Sequence, residues 1–149
     1  MNMTEEVIAI ERLPAGRDLD RLVAKAIDWK CLAECPQPCN HIPLYSTQPG
    51  TSIYLRAAMS KLGWESEDSL TWRGWGDENQ YPWGYSFWFK RWVKHIQYVL
   101  VSTVHDPEKA PLAISRCALL AILEPEAGMY ASHKEIEEAK RKRRGNVPR

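Results

Sequence analysis

No run in this chain approaches the roughly 18 apolar residues needed to span a bilayer. Residues 1–10 carry Glu5 and Glu6 and have no apolar core of signal-peptide length. Both absences point to a soluble, cytoplasmic protein with no membrane partner. Internal repeats are missing too. No Gly-rich loop leads into a helix start, which excludes a nucleotide-hydrolysing P-loop on pattern, and there is neither a nucleophile elbow nor a metalloprotease helix. The four histidines, His41, His95, His105 and His133, are scattered. The chain reads as a non-enzyme, with a hydrolase acting on a nucleotide signal as the minority reading. Net charge is also scarce, at +1 over 149 residues. Residues 134–149 nevertheless hold seven Lys/Arg against three Glu, leaving thirteen basic and sixteen acidic groups in the body. A mildly acidic body argues against a dedicated nucleic-acid binder, and the basic end keeps that option open.

Aromatics are abundant, and they are concentrated. Five of the seven tryptophans fall between Trp72 and Trp92, among Tyr81, Tyr85, Phe87 and Phe89. Such a stretch is either the heaviest part of a core or a stacking surface. The length supports one core, and the 44% apolar and 26% charged fractions are globular values.

Hydrophobic periodicity organises the rest. Leu19, Leu22, Val23, Ala26 and Ile27 form one stripe at helical spacing and predict a helix over residues 18–29, with Asp20 on its polar side. A Pro- and Cys-rich loop follows over residues 30–43. Ser46 or Thr47 is the expected N-cap of a second helix, with Pro49 in its first turn and Gly63 as its stop. The period then shortens to two. Strands are expected over residues 70–75, 85–92 and 99–104, with a long polar loop over 74–84 and a turn near 94–97. Residues 112–123 are apolar nearly all round, with Arg116 the only charge, which predicts a largely buried helix after Pro111. Pro125 ends it, and residues 132–144 read as a polar helix with a Ser132/Glu135 capping box.

These elements predict an α+β single-domain α-β-α sandwich. A small, mostly antiparallel sheet of three or four strands is covered by helices on both sides, because the aromatic strand is decorated on two faces. The boundaries expected are an extension over residues 1–17, the sandwich over 18–124, and a polar, basic C-terminal helix and tail over 125–149.

Three segments together, DLDRLVAKAIDW from Asp18, LYST from Leu44 and APLAISRCALLAI from Ala110, resemble the phage ABA-sandwich domain family. The resemblance spans about residues 18–123. It implies an α-β-α sandwich and a phage or prophage origin, hence the cytoplasm of an infected bacterium, and it implies no activity. The cysteine loop, the Trp-rich insertion and the basic tail depart from the family's pattern.

Four groups of residues carry candidate chemistry. Cys31, Cys35 and Cys39, with His41 two residues later, offer the thiolate and imidazole ligands of a structural zinc, although C-x3-C-x3-C is not a usual zinc spacing. The other reading is reduced thiols in a loop. Cys117 is expected in the core. Ser46 and Thr47 either cap a helix or hold an anion at its start. Trp75, Tyr81 and Trp83 on the loop, with Trp88 and Trp92, form an aromatic surface beside Arg73, Lys90 and Arg91. Lys140, Arg141, Lys142, Arg143 and Arg144 form a basic run. The leading expectation is a phage counter-defence or host-takeover factor without a cofactor. Through the aromatic loop it would bind a host protein or a nucleotide-like small molecule, with a homo-oligomer as an additional expectation. The rivals are a nucleic-acid-binding accessory protein using the basic tail and aromatic face, and a zinc-stapled structural or assembly protein.

Overall fold

The structure, a computed structural model, describes residues 5–31, 41–72, 83–130 and 141. It is a small α+β domain. Four α-helices, α1 (Glu5–Glu11), α2 (Arg17–Ala26), α3 (Pro49–Lys61) and α4 (Ala110–Leu123), accompany β1 (Glu65–Trp72), β2 (Trp83–Val93), β3 (Ile96–Val104) and the two-residue β4 (Met129–Tyr130). The strands form one antiparallel sheet in the order β1-β2-β3-β4. Among the described residues, no helix is long and apolar enough to cross a membrane.

The layering follows from α4. Ten of its fourteen residues are buried, as an all-apolar helix requires. One side of α4 lies on β2 and β3; α1, α2 and α3 pack against α4 in turn. Phe87 and Phe89, fully buried and edge-to-face with centroids 4.8 Å apart, meet Leu100 under this helix. The Cys117 thiol donates to the Leu100 carbonyl at 3.0 Å, so Cys117 is the core residue expected. The described helices lie on one side of the sheet. Cover on both faces, expected from the doubly decorated aromatic strand, is therefore found on the Phe87 face alone among the described residues.

Several local expectations shift. Residues 5–11, expected in an extension, form α1, whose Val7 and Ile10 enter the shared core. α2 ends at Ala26, before Trp29, because Asp28 turns left-handed (φ 55°) and the Trp29 amide donates back to Ala24. Gln48, with no side-chain cap, is the N-cap of α3 in place of Ser46 or Thr47, while Gly63 stops that helix at φ +94° as expected. β1 starts five residues earlier than expected. It is an edge strand and tolerates the polar run Glu65–Ser69, because only one of its edges is paired. Lys94 (φ 56°) makes the β2–β3 turn without a glycine. The helix expected over residues 132–144 lies outside the described residues except for Arg141, helical and exposed. The loop expected over 74–84 lies outside them up to residue 82, its last two residues, Trp83 and Gly84, belonging instead to β2.

Two α4 variants at the core should move stability in opposite directions from a simple burial count. Cys117→Asp, placing a charge under β3, should cost at least about 3 kcal/mol. Ser115 is fully buried and its hydroxyl has no hydrogen-bond partner among the described residues. Ser115→Ala should therefore raise stability by about 1 kcal/mol, since it removes an unsatisfied group and improves helix propensity. Urea unfolding of both variants reads the result; a loss on Ser115→Ala would mean that the hydroxyl does bonding work in solution.

Candidate functional site

Strand alternation sorts the aromatic candidates. Tyr85, Phe87 and Phe89 point to α4, so Ser86, Trp88, Lys90 and Trp92 point the other way. The register sets Trp88 between Glu67 and Val101, and Lys90 between Glu65 and Val99. Trp88, Val99 and Val101 are half-buried, and Trp92 is 43% exposed. Lys90 Nζ lies 2.6 Å from Glu67 Oε1. That hydrogen bond, with the lysine's charge, holds the Glu67 carboxyl below its ordinary range, and the Trp88 indole adds to it; the same contact lifts Lys90. Because both groups are solvated, this ion pair orients side chains more than it stabilises the fold.

Arg91 is on the opposite face. Its guanidinium lies 6.0 Å from the Trp64 ring centroid and fills the space beside Gly63. Lys90 and Arg91, expected to work together on phosphates, are thus separated by the sheet. Trp83 begins β2 opposite Trp72, and only its backbone is described. Arg73, Trp75 and Tyr81 lie outside the described residues, as do Lys140, Lys142, Arg143 and Arg144.

Ser46 and Thr47 part company. The Ser46 amide and hydroxyl both donate to Oδ1 of Asp20, at 2.9 and 2.7 Å, and the Gly16 amide donates to the same hydroxyl at 2.9 Å. Asp20, placed by pattern on the solvent side of α2, is completely buried here. Arg17 reaches Asp20 Oδ2 at 3.4 Å and the Ile42 carbonyl at 2.7 Å. This network ties the start of α2 to the chain ahead of α3 and leaves Ser46 no capacity to hold an anion. Thr47 is exposed and borders a cleft of about 470 Å3. Arg116 lines that cleft as well, its Nε donating to the Leu13 carbonyl at 2.8 Å. Sequence pattern missed Asp20 as a buried partner. It did mark Arg116, as the one charge on an apolar helix.

Of the four zinc candidates, Cys31 and His41 are described. They lie together, Cys31 Sγ 3.8 Å from His41 Nδ1, while Cys35 and Cys39 lie outside the described residues. No group of three or more metal-ligating side chains occurs among the described residues.

No protein-family model matches the chain, and neither does any curated protein or solved structure. The likeness to phage ABA-sandwich domains accordingly rests on its three sequence motifs.

Two tyrosines give the domain an alkaline limit. Burial, then the charge of Asp20, pushes the Tyr45 phenol up to about 12. Burial, the hydrogen bond to Asp68 and its charge raise Tyr85 still further, against the opposing charge of Arg56. The fold favours the neutral phenols, whereas an unfolded tyrosine ionises near pH 10. Their contribution to stability should be fully present below about pH 10, that of Tyr45 being lost as pH rises through about 12 and that of Tyr85 at higher pH. The urea midpoint should stay level up to about pH 10 and then fall, and Tyr45→Phe should lessen the fall. A level midpoint through pH 12 would contradict this assignment.

Proposed function

We propose that this protein acts by binding, without turnover, and that it docks a host protein on the sheet face carrying Trp88, Lys90 and Trp92. The observation that carries this reading is the face itself. It has an apolar centre of Trp88, Val99 and Val101, an exposed indole at Trp92, and a charged rim at Glu67 and Lys90, with the described helices all on the other side of the sheet. An aromatic centre ringed by charge is how protein interfaces are built. A sheet surface is also broad and shallow, whereas small molecules favour concave sites, so of the two expected targets it favours the protein over the nucleotide-like molecule. With the phage-like motifs, this supports a counter-defence or host-takeover factor working in the cytoplasm of an infected bacterium. The nucleic-acid alternative draws less support, because Lys90 and Arg91 diverge to opposite faces.

The W88S/W92S double variant should remain folded, since neither indole belongs to the buried core. Its affinity for the host protein, identified by photo-crosslinking from Thr103, should fall by about tenfold or more. Undiminished affinity, or crosslinking only to a second copy of the chain, would overturn the reading.

A zinc-stapled loop has one specific observation in its favour. Two ligands of a tetrahedral zinc stand about 3.6 Å apart, close to the 3.8 Å between Cys31 Sγ and His41 Nδ1. The full chain should then bind one zinc through Cys31, Cys35, Cys39 and His41, and zinc should protect Cys31 from alkylation. Cys117, buried with its thiol pushed well above the ordinary range by desolvation, should stay unreactive with or without metal. Absence of stoichiometric zinc in the metal-titrated protein would end this reading.

A further inference from the structure

The cleft on the helical side of the molecule, remote from the Trp88 face, has no part in the docking described above. It opens where the turn before α2, the chain ahead of α3 and the start of α4 meet, with Thr47, Lys109 and Arg116 among its polar walls and Pro14 and Leu112 among its apolar ones. From this convergence we propose that the cleft binds a small phosphate monoester, its phosphate held by Arg116, Lys109 and Thr47 and its organic body lying against Pro14 and Leu112.

Arg116 is the centre of the site. It is the one charge on a helix otherwise buried nearly all round, and its side chain is half-buried. The Nε–H bond to the Leu13 carbonyl, 2.8 Å long, fixes the plane of the guanidinium. Its two terminal nitrogens make no hydrogen bond to protein among the described residues, and the nearby Glu11 acts on it through charge alone. Burial draws its proton affinity below the ordinary guanidinium range, as expected of a cation deprived of water. An oriented fork with free donors is the arrangement that takes two oxygens of one oxyanion.

The neighbouring groups narrow the ligand. Lys109 brings a second positive charge from the N-cap of α4, and Thr47 brings a hydroxyl from another segment. Three donors on one cleft wall, two of them cationic, suit a tetrahedral dianion better than a planar carboxylate. The backbone cannot replace them. The Glu108 amide donates to Asp106 Oδ1, the Lys109 amide to the Asp106 carbonyl and the Ala110 amide to the Pro107 carbonyl, and residue 111 is a proline. Recognition therefore falls to side chains, with the α4 dipole adding a favourable potential. Glu108, also on the cleft wall, offsets part of the positive charge, so the phosphate sits towards Arg116 and Lys109 while the Glu108 carboxylate accepts from a hydroxyl on the ligand. A volume of about 470 Å3 exceeds what inorganic phosphate fills and lies within the range of small-ligand sites.

Titration of the full chain with phenyl phosphate, inorganic phosphate and benzoate, followed by calorimetry and amide NMR shifts, tests this. Phenyl phosphate should bind most tightly, with shifts grouped at residues 15–16, 47, 108–110 and 112–116. Lys109→Gln and Thr47→Val, both at exposed positions, should each weaken it several-fold, and Arg116→Gln by about tenfold or more. Arg116→Lys, which keeps the charge and loses the fork, should not restore affinity. If Arg116→Gln fails to fold, the two exposed variants decide the matter. Equal binding of benzoate, shifts elsewhere, or unchanged affinity in Lys109→Gln and Thr47→Val would overturn the proposal. The W88S/W92S variant should bind phenyl phosphate normally, which separates this site from the docking face.

Discussion

A helix with almost no solvent-facing side has to be enclosed, and enclosing α4 organises this molecule. Its apolar residues lie on Phe87, Phe89 and Leu100 of the sheet while accepting α1, α2 and α3 around the remaining circumference. Burial of that much hydrocarbon is the main favourable contribution to folding. It also dictates where function can reside. The described helices gather on the α4 side of the sheet, and on the opposite side Trp88 is half-buried and Trp92 exposed. The one charged residue of the enclosed helix is directed to a cleft at the helix's own end.

The second constraint is polar. Asp20 is buried at the start of α2, and a buried carboxylate is tolerated only when hydrogen bonds replace water. Both donors of Ser46 supply them, so the chain before α3 is held against α2. This junction forms one wall of the cleft and leaves Thr47 at its edge. A hydroxyl used for architecture and one available for recognition thus stand side by side in the sequence.

Much of the secondary structure was legible from pattern. The period of 3.6 marked α2, the unbroken apolar run marked α4, and Pro49, Gly63 and Pro125 marked helix limits. The departures have local physical causes. α1 has only seven residues and a short apolar stripe, which is legible as a helix only when α4 is there to receive Val7 and Ile10. The first half of β1, residues 65–69, is too polar to read as a strand alone, and its pairing with β2 decides its conformation. The candidate site was legible in part. Alternation along β2 already separated Trp88 and Trp92 from Phe87 and Phe89, and it could have separated Lys90 from Arg91, since neighbouring strand residues face opposite ways.

By itself the sequence determined the class of domain, the buried helix and the concentration of aromatics on one strand. These are properties of composition and short-range period, and they survive without knowledge of any distant partner. Tertiary structure alone decided that Asp20 would be buried, that Ser46 would bind it across 26 positions, and that Arg116 would meet Lys109 and Thr47 at one cleft. It also decided which face of the sheet the helices would occupy. Those outcomes depend on contacts between residues far apart in the chain, and the period of one segment carries no information about the side chains another will bring to it.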